Sequence, residues 1–223
     1  LFLFLFSFNV IYGQIITSPD TNFCDQQPYT LYAISATQSS MATDDMHDIV
    51  VPIGFDFDFY NGTYDKCVVS GNGYITFDTN QANLSSPWSI NLAIPNPGFM
   101  PENAIMAPWQ DINTGVVGNI FYGTTGVYPN RKFTVTWCEI AMFSCTQLLH
   151  TSQVVMHEGS NKIEMFIKNK PLCATWNAGA AVQGLVDMNS LNFDIVDDPI
   201  LLQPRNFPLN WTANFEGWEF IPN

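Results

Sequence analysis

Catalysis in this chain would have to start from its three histidines, His47, His150 and His157. A hydrolase needs a nucleophile, a base and an orienting group within reach of one another. His47 falls in an acidic stretch, His150 in a predicted hairpin loop and His157 at the end of a predicted strand. No Gly-x-Ser-x-Gly elbow accompanies them. The three read as surface histidines and the chain as a non-enzyme.

A glycosidase needs instead two carboxylates facing one cleft. Asp56, Asp58, Asp111, Glu139 and Glu164 are the candidates. Strand periodicity puts Asp56 and Asp58 on one face, about 6.6 Å apart at two rises of a strand. An exposed polar face is the ordinary reason for that spacing. Calcium asks for six to eight oxygens. Asp111 with Asn113, and Asp194 with Asp197 and Asp198, are the possible clusters, neither at EF-hand spacing. Both read first as solvated loop acids, and no other cofactor is indicated. Trp88 lies in a long proline-rich segment where burial is least assured, which makes it the candidate ligand contact.

The elements that must position these groups are strands. Phe133, Val135 and Trp137 alternate with Thr134 and Thr136, the period of a half-buried strand. Val154–Met156 is a second apolar run, Gly159-Ser160-Asn161 supplies turn chemistry, and Ile163, Met165 and Ile167 alternate again. The result is an antiparallel meander of strands 132–142, 152–158 and 162–168. Its topology brings a loop near 143–150, carrying Cys145, to the same sheet end as the segment carrying Cys173. A bridge of about 5.5 Å between Cα atoms is then feasible, so a Cys145–Cys173 disulfide is predicted. The pairing of Cys24, Cys67 and Cys138 stays open. No Cys-x-x-Cys or Cys/His spacing suggests zinc.

Before the meander, Phe55, Phe57 and Phe59 alternate with Asp56 and Asp58, giving one aromatic and one acidic face. Asn61-Gly62 and Gly71-Asn72-Gly73 are hairpin signals. Further strands are predicted at 29–35, 49–60, 64–70, 74–78, 104–113, 118–122, 180–186, 193–196 and 211–221. Residues 36–48 read as a solvated polar loop and 79–103 as a long loop. No segment carries a helical stripe. The fold class is all-β, an antiparallel β-sandwich of about ten to twelve short strands.

The 223 residues suit one such domain, and 47% apolar content is ample for its core. Eighteen Phe, eight Tyr and six Trp favour strands. The net charge of −13 repels phosphate backbones, which argues against nucleic acid. Residues 1–13 form an apolar stretch of signal-peptide length, too short for a membrane span, with Gly13 before the expected cleavage. Residues 14–223 would be the mature domain, with further domains expected downstream. Five cysteines fit an oxidising compartment. The expected location is secreted or at the cell surface.

Several segments together resemble the nidogen-like extracellular domain. They are Ala107-Pro108-Trp109-Gln110-Asp111-Ile112-Asn113, Gly118-Asn119-Ile120-Phe121-Tyr122, Phe133-Thr134-Val135-Thr136-Trp137, Gln153-Val154-Val155-Met156, Trp176 and Gly179-Ala180-Ala181-Val182-Gln183-Gly184. Order and spacing match over about residues 50–190. The placement of Cys145 and Cys173, with the closing Asn-Phe-Glu-Gly-Trp-Glu-Phe-Ile-Pro-Asn, is similar to the N-terminal domain of large surface adhesins of gliding bacteria. Cys138 departs from that pattern. The resemblance implies adhesion or recognition of an extracellular glycan or protein, and export by the type IX secretion machinery. The alternative is a carbohydrate-binding module of a secreted enzyme.

Overall fold

The strictest alternation in the chain, Val51, Ile53, Phe55, Phe57 and Phe59, is buried residue by residue, and Pro52, Gly54, Asp56 and Asp58 between them are exposed. That strand lies in a computed structural model describing residues 15–16, 34–41 and 43–222. The strands in chain order are β1 (Ile15–Ile16), β2 (Ile34–Ser35), β3 (Thr37–Gln38), β4 (His47–Phe59), β5 (Gly62–Ser70), β6 (Tyr74–Thr76), β7 (Ala104–Trp109) and β8 (Ile112–Asn113). They continue as β9 (Asn119–Thr125), β10 (Lys132–Met142), β11 (Cys145–His157), β12 (Ile163–Lys170), β13 (Val182–Val186), β14 (Phe193–Ile195) and β15 (Ala213–Phe220). Among the described residues the only helical turns are two of 3-10 type, Thr79–Gln81 and Asn177–Gly179.

Besides a separate two-stranded ribbon of β1 and β2, two large antiparallel sheets form. One has seven strands, β15-β12-β11-β10-β9-β3 with β8 also paired to β10, and the other has six, β14-β13-β7-β6-β5-β4. Their inner faces share one core. Phe57, Val69, Ile75 and Ile105 of one sheet pack with Phe133, Val135, Trp137, Val154 and Met165 of the other. Trp137 is fully buried, and its indole nitrogen donates across the gap to Ser70 O at 2.9 Å. This is the all-β sandwich expected, and the meander of β10, β11 and β12 pairs in that order.

Four local expectations change. The β10–β11 turn is only Phe143-Ser144, so the stretch read as a loop over 143–150 is mostly strand. Thr146 and Gln147 are exposed and polar, which hid the strand from a hydrophobic pattern. Thr134 and Thr136 are buried on the outer face, where Gln153 Nε2 donates to Thr136 Oγ1 at 2.8 Å. The polar stretch 36–48 contributes β3 and the buried start of β4. Residues 104–113 are two strands in different sheets, with Gln110-Asp111 crossing between them. The first predicted strand, 29–35, is described only at Ile34–Ser35, and the predicted signal segment and Cys24 lie outside the described residues.

The disulfide forms as predicted: Cys145 and Cys173 are bonded, with Cα atoms 5.8 Å apart. A bulge between Trp137 and Ile140 lets β10 leave β9 and pair with β8 at Ala141 and Met142. Gly118, just ahead of β9, lies against the bulge at φ +91°, and a Cβ there would come within 2.6 Å of Cys138 O. Only glycine fits.

A candidate site of three carboxylates and an aromatic ladder

The crossing of Gln110-Asp111 sets Asp111 at one end of the sandwich, 5% exposed. The loop ahead of β4 brings Asp44 and Asp45 to it, and carboxylate oxygens of all three lie within 4.8 Å of one another. The sequence reading had Asp111 beside Asn113 and treated Asp44 and Asp45 as a solvated loop. The structure gives Asn113 a different role: its Nδ2 donates to Asp44 Oδ2 at 2.9 Å.

Each carboxylate is steered by a neutral side-chain donor. Besides the Asn113 bond, Asn72 Nδ2 donates to Asp45 Oδ1 at 2.9 Å and Trp176 Nε1 donates to Asp111 Oδ2 at 2.6 Å. No lysine, arginine or histidine forms an ion pair with any of the three among the described residues. Asp44 Oδ1 and Asp111 Oδ1 are buried with no hydrogen-bond partner among those residues. Burial, then the charges of Asp45 and Asp44, push the Asp111 carboxyl up to about 7 against the opposing Trp176 bond. Burial and then Asp45 push Asp44 up to about 6. Three acids held this close without a cation repel one another in poorly solvated surroundings.

Asn72 is the joint of the site. It was legible in the sequence only as turn chemistry in Gly71-Asn72-Gly73, yet it is fully buried. Its Nδ2 reaches Asp45 and Pro87 O, its Oδ1 accepts from Ile112 N at 3.2 Å, and its backbone O accepts from Gln110 N at 3.1 Å. The turn can lie this close because Gly73, at φ +84°, has no Cβ; one would stand 2.1 Å from Pro108 O.

Beside the acids runs a ladder of rings. Phe143 tilts against Trp176 at 4.7 Å between centroids, and Trp176 stacks on Trp88 at 5.7 Å and 28°. Trp88 is 40% exposed, whereas Trp109, Trp137 and Trp211 are buried. Asn177 Nδ2 holds Trp88 O at 2.7 Å. The disulfide fastens the ladder from behind, because Cys145 follows the turn that carries Phe143 and Trp176 N donates to Cys173 O at 3.2 Å. The Trp88 expectation thus falls at the same sandwich end as Asp111, while the part played by Trp176 was not foreseen from its place in the sequence.

The other candidates disperse. Asp194, Asp197 and Asp198 form no comparable trio among the described residues. Asp194 Oδ2 accepts from Tyr60 Oη at 2.9 Å, Asp197 is exposed, and buried Asp198 pairs with Arg205 Nε at 3.0 Å. Asp58 is bonded to Thr63 and Asn161. With Asp194 and Tyr60 it borders an open cleft of about 660 Å³. Glu164 is taken by His157 and Lys162, each at 2.7 Å, and Glu139 lies 3.7 Å from Lys168 on the surface.

Two of the three histidines prove not to be surface groups. His47 Nε2 lies 2.6 Å from Tyr74 Oη, both buried. His150 Nε2 lies 2.8 Å from Ser152 Oγ, the start of a nucleophile–base pair, but the two are 0% and 2% exposed and closed to any substrate. Burial, then the nearby charge of Lys170, pushes His150 down to about 3.

A family model described as NIDO related matches residues 23–200. No curated protein matches the chain, and no solved structure does.

Proposed function

This chain belongs to the NIDO-related family, and from that premise we propose that it is a non-enzymatic extracellular module of adhesion or recognition. The observation that carries the reading is the exposed face of Trp88. It is a large ring held in place by Trp176, Phe143 and the Cys145–Cys173 bridge, with a carboxylate cluster alongside. A rigid indole at a surface offers apolar area with little ordering cost, which suits the face of a sugar ring or a protein side chain. The neutral, enclosed His150–Ser152 pair, with Asp58 and Glu164 bonded to their neighbours, supports binding over turnover.

The disulfide supports an oxidising compartment. Among the described residues no helix is long and apolar enough to cross a membrane. The proposal extends to export through residues 1–13 and to a place in a larger surface adhesin, with the secretion machinery as a partner.

The test is the chain and its Trp88→Ala variant on arrays of glycans and extracellular proteins. The wild type should bind a defined set, and the variant should lose at least tenfold in affinity while melting at the same temperature. Binding that ignores Trp88 would move the recognition surface elsewhere. Steady hydrolysis of an arrayed glycan would overturn the non-enzymatic reading.

A further inference from the structure

We infer that Asp44, Asp45 and Asp111 form a binding site for a hard divalent cation, calcium by its chemistry. The strongest single observation is Asp111. It is 5% exposed, one of its oxygens is held by Trp176, and the other is buried with no partner among the described residues. A carboxylate oxygen so placed carries a desolvation cost that a cation relieves directly. Asp44 Oδ1 is in the same condition.

The arrangement is that of a prepared donor set. Asn113, Asn72 and Trp176 each take one oxygen of one acid. Outer hydrogen bonds of this kind fix the direction in which ligating groups point. One oxygen of each acid lies within 4.8 Å of one oxygen of each of the other two. Two oxygens on one calcium ion stand at most about 5 Å apart, twice the metal–oxygen distance. The donors are all oxygen, with no thiolate or imidazole in the trio, which disfavours zinc and copper. Magnesium holds its ligands at about 2.1 Å in a stricter octahedron and keeps its waters, so calcium should win.

The site joins segments far apart in the chain. Asp44 and Asp45 precede β4, and Asp111 sits in the passage from β7 to β8. An ion there ties the loop ahead of β4 to the passage between β7 and β8 and should stabilise the fold whether or not a ligand is bound to Trp88. The inference therefore does not depend on the recognition reading, and its test contains no glycan or protein ligand.

Terbium is the probe, since it replaces calcium and is sensitised by a nearby indole, here Trp176. Terbium added to the chelator-treated chain should luminesce on tryptophan excitation. Calcium should quench that signal at concentrations at least tenfold below magnesium. Calcium at a hundredfold over its Kd should raise the melting temperature by about 5 °C or more relative to chelator. The Asp44→Asn/Asp111→Asn double variant should lose both effects. Its melting temperature in chelator should match or exceed that of the wild type, because two repelling charges are gone. Identical melting of the wild type in calcium and chelator, with no sensitised terbium, would overturn the inference without any variant. A calcium shift that survives in the double variant would also overturn it, by placing the ion elsewhere.

Discussion

The indole of Trp176 donates to Asp111 Oδ2 at 2.6 Å across 65 positions of sequence. One side chain thereby serves two structures, as the middle ring of the ladder under Trp88 and as the donor that steers the most buried acid of the trio. Trp176→Phe keeps a ring in the ladder and removes the donor. It should cost about 1–3 kcal/mol, the penalty for leaving a buried acceptor unmatched. Urea unfolding in chelator measures it. A loss below 0.5 kcal/mol would mean that Asp111 turns to another donor.

The Cys145–Cys173 bridge closes a loop at a sequence separation of 28. Loop closure at that length implies about 3–4 kcal/mol. Cys145→Ala and Cys173→Ala should lower stability by similar amounts, and the double variant should be little worse than either, since all three remove one bond. Ligand binding through Trp88 should weaken in each. Additive losses from the two single variants would rule out the shared bond as the cause.

Arg205 is 1% exposed and lies between Asp198 and Glu216, with Gln183 Oε1 accepting at 2.7 Å and the ring of Trp211 4.1 Å away. Arg205→Met fills the space and leaves Oδ2 of Asp198, itself 3% exposed, without its charged partner, while Oδ1 still accepts from Ile200 N and Leu201 N. Breaking one partner of a buried pair costs about 3–5 kcal/mol. Adding Asp198→Asn to that variant should recover part of the loss. No recovery would show that the guanidinium acts by packing on Trp211 and Trp218 rather than by charge.

Acid should destabilise this protein through His150. Its folded pKa is near 3 and its unfolded value is 6.5. Between those values the unfolded chain binds a proton that the folded chain does not. The contribution is therefore fully present above pH 6.5 and is lost as pH falls toward 3, at up to about 1.4 kcal/mol per pH unit. His150→Gln cannot take up that proton. The stability advantage of wild type over variant should shrink between pH 7 and pH 4 in urea titrations. An advantage that stays constant over that range would mean that His150 is protonated inside the fold.

The sequence disclosed the sandwich where one face of a strand is wet. Phe55, Phe57 and Phe59 alternate with exposed Asp56 and Gly54, and their pattern needs no tertiary knowledge. The disulfide was legible for a topological reason that survived a local error. Two passes, β11 and β12, return the chain to the same sheet end whether the turn after β10 is two residues long or eight. His150 reads as a loop residue because β11 begins at Cys145, nine residues before the apolar run at Val154, with exposed Thr146 and Gln147 among its first residues. The carboxylate trio was half visible. Asp111, Asn113 and Trp88 were singled out, but Asp44 and Asp45 join them only because β7 and β8 belong to different sheets. No local spacing encodes which loop lands against a crossing.

The fourfold attachment of Asn72 has a mechanical meaning. Its side chain and backbone hold the turn of one sheet to Gln110 and Ile112, on the way into the other, and also hold Asp45. Ile112 opens β8 in the other sheet, so sliding one sheet along the other by a single residue rise, about 3.3 Å, would break the Asn72–Ile112 bond first. The same side chain holds Asp45, so shear between the sheets and the carboxylate cluster meet at Asn72. A strain on the domain along that direction reaches the carboxylates through one buried amide.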